Sequence, residues 1–382
     1  NNKIGNHSVD PMGSRDNSAF WKSRASAPGT PPTSNDLPKA SFEYEKREEV
    51  VEDQIFEKCS QSSSRTERFR TLLDSPNVDL EKLRSLSWGG ISPEIRAQTW
   101  KILLGYLPTN KERREYTIER KRQEYLSFVP QYERARDQYP DGDPNEGAIY
   151  HQIHIDVPRT NPSCSLFQNE IVQRSLESIL YVWAYRHPAS GYVQGINDLA
   201  TPFFVVFLSE YISEEDIQAC RMETISPEDL RKVEADCFWC MTKLLDSIQE
   251  NYTFAQPGIQ RMIFKLQGLT IKIDSALAAH LEAQEAHFIQ FAFRWMNCLL
   301  MREIPLRLIV RIWDTYLSEA EEFSVFHVYV CAAFLVQWSD TLCKLEFQDL
   351  MKFLQHLPTT NWGNKEVEML LSQAFLYKSL YK

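Results

Sequence analysis

Apolar side chains recur every three to four positions from about Arg65 to the end of the chain, and this period restricts the possible folds more than any other feature. One stripe illustrates it: Val172, Leu176, Ile179, Leu180 and Trp183. Strict alternation of apolar and polar residues, typical of strands, never extends beyond a few positions. Because a spacing of three and four places side chains on one helix face, the sequence predicts an all-α domain of many helices over residues 65–382. No internal repeat period is present, which argues against a solenoid scaffold.

Residues 1–64 differ in composition: they are rich in Ser, Asn, Pro and Gly and include an acidic segment at 41–58. Such a segment buries too little apolar surface to offset the entropy cost of ordering, so we predict a disordered, low-complexity tail. Within it, basic residues precede Ser26 and Pro28 follows it. This pattern fits phosphorylation-dependent binding of a 14-3-3 protein at Ser26, although an ordinary solvated tail is the simpler interpretation.

The charge balance and the apolar runs narrow the partners and the compartment. With 42 Lys and Arg against 52 Asp and Glu, the formal net charge is −10. Nucleic-acid affinity comes mainly from neutralising phosphates, so we predict no nucleic-acid partner. No apolar run reaches the ~18 residues of a membrane helix, so we predict no transmembrane segment. The eight cysteines do not form a disulfide framework, and we predict a reducing, cytoplasmic location.

Sequence motifs for self-contained chemistry are missing. The chain has no Gly-x-x-x-x-Gly-Lys-Ser/Thr loop, no His-Glu-x-x-His and no Gly-x-Ser-x-Gly. Cys237 and Cys240 lie on a helical apolar stripe with no second ligand pair, so buried thiols explain them better than zinc. His280 and His287 lack a positioned carboxylate and are better explained as packed or surface imidazoles. We therefore predict no metal site and no complete catalytic apparatus.

Two segments read as loops with exposed polar side chains, which is unusual in an all-α domain. In Ile153–Thr160, Pro158 should hold Val157 in an extended conformation and display Arg159 on a loop. A capping box over Ser165–Gln168 should then start the next helix.

The second segment, Gly191–Asp198, lies between two predicted helices. Its glycines allow another molecule to approach the backbone closely. Asn197 or Asp198 can cap the following helix, which leaves Gln194 just outside a helix N-terminus, where anions are favoured. Taken alone, each of these two loops is weak evidence of function.

Together with flanking motifs, the two loops resemble those of the TBC-domain family of Rab GTPase-activating proteins. The shared motifs are Gly90–Trp100 with Leu103-Leu104-Gly105, then Ile153, Asp156 and Arg159, then Tyr192, Gln194, Gly195 and Asn197, then Phe293-Arg294-Trp295, Arg302–Pro305 and Arg311–Asp314. They occur in the family's order and cover residues 85–380. The segment His356–Trp362 is most similar to the member-22 branch of the family.

The resemblance implies a GTPase-activating protein that completes the active site of a partner GTPase and is not a self-contained enzyme. Arg159 matches the family's arginine finger and Gln194 its glutamine finger, both supplied in trans to a Rab GTPase. Asp156 is then expected to hold the Arg159 loop. Tyr192 and Asn197, with Gly195 between them, are expected to shape the Gln194 loop or to contact the GTPase. Ile153 is expected to anchor the first loop in the core.

The resemblance also implies that this chain binds no cofactor, because GTP and Mg²⁺ arrive with the partner. A role in vesicle trafficking, with peripheral association at Golgi or endosomal membranes, is expected on the same basis. The alternative is a non-catalytic helical adaptor that binds a Rab GTPase or a membrane-traffic tether. Retention of both Arg159 and Gln194 favours catalysis.

The remaining signature residues are better explained by helix packing than by chemistry. They are aromatic residues and ion-pair partners: Trp88, Arg96, Trp100, Trp295, Arg302, Trp313 and Asp314.

Overall fold

Turn residues divide the chain into α-helices joined by short connections. The computed structural model describes residues 64–319 and 323–381. In chain order the α-helices are α1 (residues 64–74), α2 (Leu80–Trp88), α3 (Pro93–Leu103), α4 (Arg114–Leu126), α5 (Val129–Gln138), α6 (Pro144–Asp156), α7 (Glu170–Arg186), α8 (Ile196–Leu208) and α9 (Glu214–Gln218). They continue with α10 (Pro227–Ser247), α11 (Pro257–Ile273), α12 (Ser275–Ala283), α13 (Phe288–Asn297), α14 (Leu306–Ser318), α15 (Phe323–Val336), α16 (Ser339–Leu342), α17 (Phe347–Gln355) and α18 (Asn364–Leu380).

The predicted all-α fold is confirmed over this part of the chain. Its residues form no β-strand, and the only β-type pairing among them is an isolated bridge between Asn77 and Asn110. Several helices begin at a proline, including α3, α10 and α11. Proline suits the first turn because its missing N–H would have no helical partner there. The tail predicted for residues 1–64, with Ser26, lies outside the described residues except for Ser64.

Helix α8 runs through the centre of the fold. All of its residues are buried except Val205, which is half-buried. It packs against α3, α7, α10 and α14. A helix that is apolar on every side is stable only when neighbours cover it all round. The N-terminus of α8, which the Gly191–Asp198 segment enters, is therefore fixed by its neighbours.

A buried carboxylate joins α14 to α3. Asp314 accepts hydrogen bonds from the Ile91 backbone N–H at 2.9 Å, from Arg96 Nε at 3.0 Å and from Trp100 Nε1 at 2.8 Å. Burial raises the pKa of Asp314, and the Arg96 guanidinium opposes that rise. These bonds satisfy a charge that would otherwise be costly to bury. The packing interpretation of Arg96, Trp100 and Asp314 is confirmed.

The apolar stripes and the thiols also lie where the sequence predicts them. The stripe from Val172 to Trp183 is buried on α7. Cys237 and Cys240 are free, fully buried thiols on α10. Burial raises the pKa of both thiols, so they stay protonated and unreactive.

His327 gives the fold a pH dependence. This residue of α15 is fully buried, its Nε2 donates to the Trp295 carbonyl at 3.1 Å, and its Nδ1 accepts from the Tyr316 hydroxyl at 2.7 Å. Burial lowers the pKa of the imidazole from 6.5 to about 4. As pH falls from 6.5 to about 4, His327 becomes protonated in the unfolded chain but stays mostly neutral in the folded chain. We expect the free energy of unfolding to fall by on the order of 2–3 kcal/mol between these pKa values.

Urea unfolding at a series of pH values measures this contribution. His327→Gln should flatten the dependence, whereas replacing the exposed His356 with glutamine should leave it unchanged. An equal pH slope in His327→Gln and in the parent chain would assign the effect to other groups.

Candidate functional site

Arg159 closes a short turn at the C-terminal end of α6. The helix ends at Asp156, and a 3₁₀ turn over Val157–Arg159 follows. The Thr160 N–H donates to the Val157 carbonyl at 3.0 Å and completes the turn. The Arg159 side chain is exposed, and no residue of the described segments bonds to its guanidinium. The turn therefore presents a free cation to solvent.

Several local details differ from the sequence prediction. The segment Ile153–Thr160, expected to be a loop, is helical through Asp156 and continues as the 3₁₀ turn. Val157, expected to be extended, is helical with φ −58° and ψ −45°. A following proline disfavours this conformation, but complete burial and a hydrogen bond to the Ile153 carbonyl stabilise it. The segment Ser165–Gln168 forms its own 3₁₀ turn and does not start α7. The cap of α7 is Asn169, whose side chain accepts from the Ile171 N–H at 2.8 Å.

Gln194 lies near the C-terminal end of the connection from α7 to α8, which we call the glutamine loop (residues 187–195). Gln194 is exposed and lies just outside the N-terminus of α8, as the sequence predicts. Asn197 and Asp198, expected to cap α8, lie inside its first turn, and the N-cap is Gly195. Gly195 follows with φ +108°, in the left-handed region that favours glycine. A Cβ at this position would also collide with the side chain of Asn297. The loop can take this path only with glycine at residue 195.

The carboxylate of Asp156 bonds to the glutamine loop. It accepts from the Tyr192 hydroxyl at 3.1 Å and from Gln194 Nε2 at 3.3 Å. Gln152 Nε2, one turn earlier on α6, also donates to it at 3.3 Å. Burial, together with the charge of Asp156, raises the pKa of Tyr192, so this hydroxyl stays protonated as a donor. The sequence assigns Asp156 to holding the Arg159 turn, but its side chain contacts the other loop.

A second link joins the residue after Arg159 to the same loop. Asn197 Nδ2 donates to Thr160 Oγ1 at 2.9 Å. Asn197 Oδ1 accepts from the Gly195 N–H at 3.0 Å and from the Tyr192 hydroxyl at 3.2 Å. The residues on both sides of the 3₁₀ turn, Asp156 and Thr160, are therefore bonded to the glutamine loop or to the first turn of α8.

The buried side of the site contains Ile153 and Asn297, and the sequence did not predict a role for Asn297. Ile153 is fully buried on α6, in keeping with an anchoring role. Asn297, the last residue of α13, donates from Nδ2 to the Gln194 carbonyl at 2.9 Å. An asparagine at the end of an apolar helix is a common feature, so the sequence carried no specific signal for this contact.

Arg302 and Asp198 form an ion pair beside the glutamine loop. Arg302 Nε lies 2.7 Å from Asp198 Oδ2, and the arginine side chain remains 42% exposed. Burial raises the pKa of Asp198, and Arg302 opposes the rise. The sequence interprets Arg302 as a packing residue. The structure shows in addition that it places a half-exposed positive charge near the N-terminus of α8.

Two other kinds of functional feature are missing from residues 64–319 and 323–381. Within them, no group of three or more His, Cys, Asp or Glu side chains could hold a metal ion. No helix in the described segments is both long enough and apolar enough to cross a membrane.

This chain is similar in sequence and in fold to proteins of one family. The family model described as the Rab-GTPase-TBC domain matches residues 93–343. TBC1 domain family member 22B of Homo sapiens is 54% identical over 319 residues, which cover 83% of this chain and 62% of that protein. The GTPase-activating protein gyp1 of Schizosaccharomyces pombe has the same identity and the same coverage. The chain thus spans about three-fifths of the length of these curated relatives.

Two solved structures share the fold. The crystal structure of the Ypt/Rab-GAP domain of Gyp1p matches with a TM-score of 0.78 and 46% identity, covering 84% of this chain and 99% of that one. The Chlamydomonas flagellar RabGAP TBC domain matches with a TM-score of 0.57 and 17% identity, covering 84% and 93% of the two chains. At that identity the second match concerns the fold alone.

Proposed function

This chain belongs to the Rab-GTPase-TBC domain family, and we propose that it accelerates GTP hydrolysis by a Rab-family GTPase. In this proposal Arg159 and Gln194 enter the partner's nucleotide site from the two loops described above. GTP and Mg²⁺ belong to the partner, and this chain contributes side chains only. The proteins named GTPase-activating protein among its relatives support this assignment.

The proposed task of Arg159 is electrostatic. As the bond to the γ-phosphoryl group breaks, charge spreads over the transferred group and the leaving oxygen. A planar guanidinium can donate to both in parallel, and an arginine supplied in trans typically accelerates hydrolysis by ~10³–10⁵-fold. The exposed Arg159 guanidinium, with no bond to a described residue, loses no internal contact when it docks.

The proposed task of Gln194 is to position the attacking water. Its Nε2 donates to the Asp156 carboxylate. Because a carboxylate can only accept, this bond determines the orientation of the Gln194 amide. The Oε1 is then left as an acceptor for a water proton. Orienting the water for in-line attack lowers the entropy cost of reaching the transition state.

One observation carries the proposal: the two loops form a single hydrogen-bonded unit. Asp156 and Thr160 flank the arginine turn, and they bond to Gln194 and Asn197 respectively. Two polar groups needed at one reacting centre must be held at a fixed spacing, and these bonds supply that spacing before a partner arrives.

The test is single-turnover GTP hydrolysis by a panel of Rab GTPases, each with and without the full chain. Acceleration of at least one GTPase supports the proposal and identifies a substrate. A folded chain that binds a GTPase without accelerating hydrolysis would favour the adaptor function. Binding to none of the panel would contradict both.

Two further expectations remain predictions. Phosphorylation-dependent 14-3-3 binding at Ser26 concerns residues outside the described segments. Peripheral association with Golgi or endosomal membranes would depend on the partner GTPase or on a tail partner. Fractionation of cells expressing the chain, with and without Ser26→Ala, addresses both expectations.

Phe254 offers a test of partner binding that is separate from chemistry. Its ring is 99% exposed on the connection between α10 and α11. The same connection is tied to the site, because the Tyr252 hydroxyl donates to the Asn297 carbonyl at 2.8 Å and Asn297 in turn bonds to Gln194. An exposed aromatic ring on a connection that is linked to the glutamine loop in this way would be stabilised by burial against a partner. We expect Phe254→Ala to raise KM for the GTPase roughly tenfold and leave kcat unchanged.

The matched control is Tyr116→Ala on α4, where the ring is 75% exposed. It should change neither constant. A fall in kcat with unchanged KM for Phe254→Ala would show that the ring acts on the glutamine loop and not on the partner.

A further inference from the structure

A polar pocket of about 480 Å³ lies at the start of α3, and none of its lining residues belongs to the arginine turn or the glutamine loop. Four arginines line it: Arg65, Arg96, Arg307 and Arg311. The single carboxylate in the lining is that of Glu214. Four positive charges minus one negative charge leave the lining with an excess of three.

Only one of these arginines has a carboxylate partner in the structure. Arg96 pairs with Asp314, which lies behind the lining. Within residues 64–319 and 323–381, no Asp or Glu oxygen comes within ion-pair distance of the other three guanidiniums. Asp314 and Glu368 act on Arg65 and Arg311 only through their longer-range fields. Three of the four guanidiniums in the lining therefore have no carboxylate in contact with them among the described residues.

The three unpaired guanidiniums are held in place by neutral acceptors. Arg65 donates to the Gly89 carbonyl at 3.0 Å. Arg307 donates to the Trp362 carbonyl at 2.6 Å. Arg311 donates to Thr315 Oγ1 at 2.9 Å. Each guanidinium carries five N–H donors, so these bonds orient the groups while leaving other donors available.

Two glycines let the backbone pack against two of these groups. A Cβ on Gly89 would lie 2.7 Å from Arg65 Nη2, and one on Gly90 would lie 2.7 Å from Arg311 Nε. Gly90 also has φ +99°, which favours glycine. The loop between α2 and α3 is thus shaped around the guanidiniums, which restricts their motion and lowers the entropy cost of binding an anion.

The electrostatic environment favours an added negative charge. Burial lowers the pKa of both Arg65 and Arg311, and the neighbouring arginines add to the effect on Arg311. The Asp314 and Glu368 carboxylates, which contact neither guanidinium, offset part of this lowering. Because arginine keeps its proton at any physiological pH, a bound anion would add to that stabilisation. Ser92, the N-cap of α3, also lines the pocket, and its side chain makes no capping hydrogen bond. Its hydroxyl and the helix N-terminus are both suited to an anion.

We propose that this pocket binds the phosphoryl group of a phosphate ester. Several guanidiniums converging on one small volume match the three acceptor oxygens and double charge of a phosphomonoester better than a single carboxylate. The ester can be a soluble molecule or a lipid headgroup, and the two sources present the same chemistry to the pocket. The proposal does not depend on GTPase activation.

Calorimetric titration of the full chain with inositol bisphosphate tests the soluble source. Flotation with phosphatidylcholine vesicles containing a phosphatidylinositol monophosphate tests the lipid source, and phosphatidylserine vesicles of matched charge are the control. We expect saturable binding that weakens with added salt. Arg311→Gln and, separately, Arg307→Gln should each weaken it at least tenfold. The matched variant is Arg174→Gln, an exposed arginine on α7, which should bind as the parent does.

The outcomes separate cleanly. Titration without preferential flotation assigns a soluble ester, whereas preferential flotation that the pocket variants abolish assigns a headgroup. Binding that survives both pocket substitutions, or no binding in either assay, overturns the proposal. Arg307 is exposed, so its variant should fold even if Arg311→Gln does not, and thermal unfolding checks each. Arg159→Ala should bind the ester normally, which keeps this result independent of the GTPase assays.

Discussion

Replacing Arg159 with alanine is expected to lower the acceleration of GTP hydrolysis by about 10³-fold or more. The loss should appear in kcat, because the guanidinium would act on charge that develops only in the transition state. Stability should stay within about 0.5 kcal/mol of the parent, since the side chain is exposed and without a partner in the described segments. Single-turnover hydrolysis, with thermal unfolding of the same preparations, measures both.

Lysine at this position separates charge from geometry. Arg159→Lys keeps the positive charge but loses the planar pair of donors, so it should restore only a small part of the lost rate. Arg174→Ala on α7, an exposed arginine whose single ion pair is with Glu170, is the matched control and should leave the rate unchanged. Acceleration that survives Arg159→Ala would mean that another group supplies the arginine finger.

Replacing Gln194 with alanine is expected to lower the same acceleration by about 10²–10³-fold, the range found when one oriented polar group is removed from a transition state. Gln152 provides an internal control, because its Nε2 donates to the same carboxylate of Asp156 at the same 3.3 Å distance. Gln152→Ala removes an equivalent bond to Asp156 without removing the proposed finger. We expect it to change the rate less than about threefold, within the effect of an ordinary surface substitution.

A second measurement assigns the role of Gln194 more directly. If Gln194 positions the water, a partner GTPase whose own catalytic glutamine is replaced by leucine should still respond to the parent chain. The same GTPase should not respond to Gln194→Ala. Equal losses in Gln152→Ala and Gln194→Ala would show that the important feature is the bonding of Asp156, with no direct role for Gln194.

The sequence predicted most of the local features of this molecule but not the contacts between residues that lie far apart in the chain. The helical period predicted α7 and α8, and the glycines predicted the connection that carries Gln194, because each of these signals acts within a few residues. The loop predicted over Ile153–Thr160 was wrong for most of its length, since α6 continues to Asp156 and a 3₁₀ turn follows. The extended conformation predicted for Val157 was wrong, because its burial in the core outweighed the local effect of the proline. The spacing of residues in the sequence does not predict the hydrogen bond from Asn297 to Gln194, because these residues are 103 positions apart.

The same limit applies to Asp156 and to the arginine pocket. The motif identified Asp156, but its bonding partner could be assigned only after the fold brought α6 and the glutamine loop together. Arg65, Arg307 and Arg311 are spread over more than half of the chain, and no pattern of residues groups them. Both cases depend on tertiary contacts, which a single sequence does not report.

The bonds that join the arginine turn to the glutamine loop have a consequence for how such a domain can evolve. All of their donors and acceptors lie within this chain, so the spacing of the two polar tips does not depend on which GTPase is present. If Arg159 and Gln194 act on GTP as proposed, the two side chains form a catalytic module whose geometry is the same for every partner GTPase. Selectivity between GTPases then depends on surfaces outside this module, such as the one that bears Phe254. Those surfaces can diversify while the module is inherited unchanged, so that the same chemistry serves different partner GTPases.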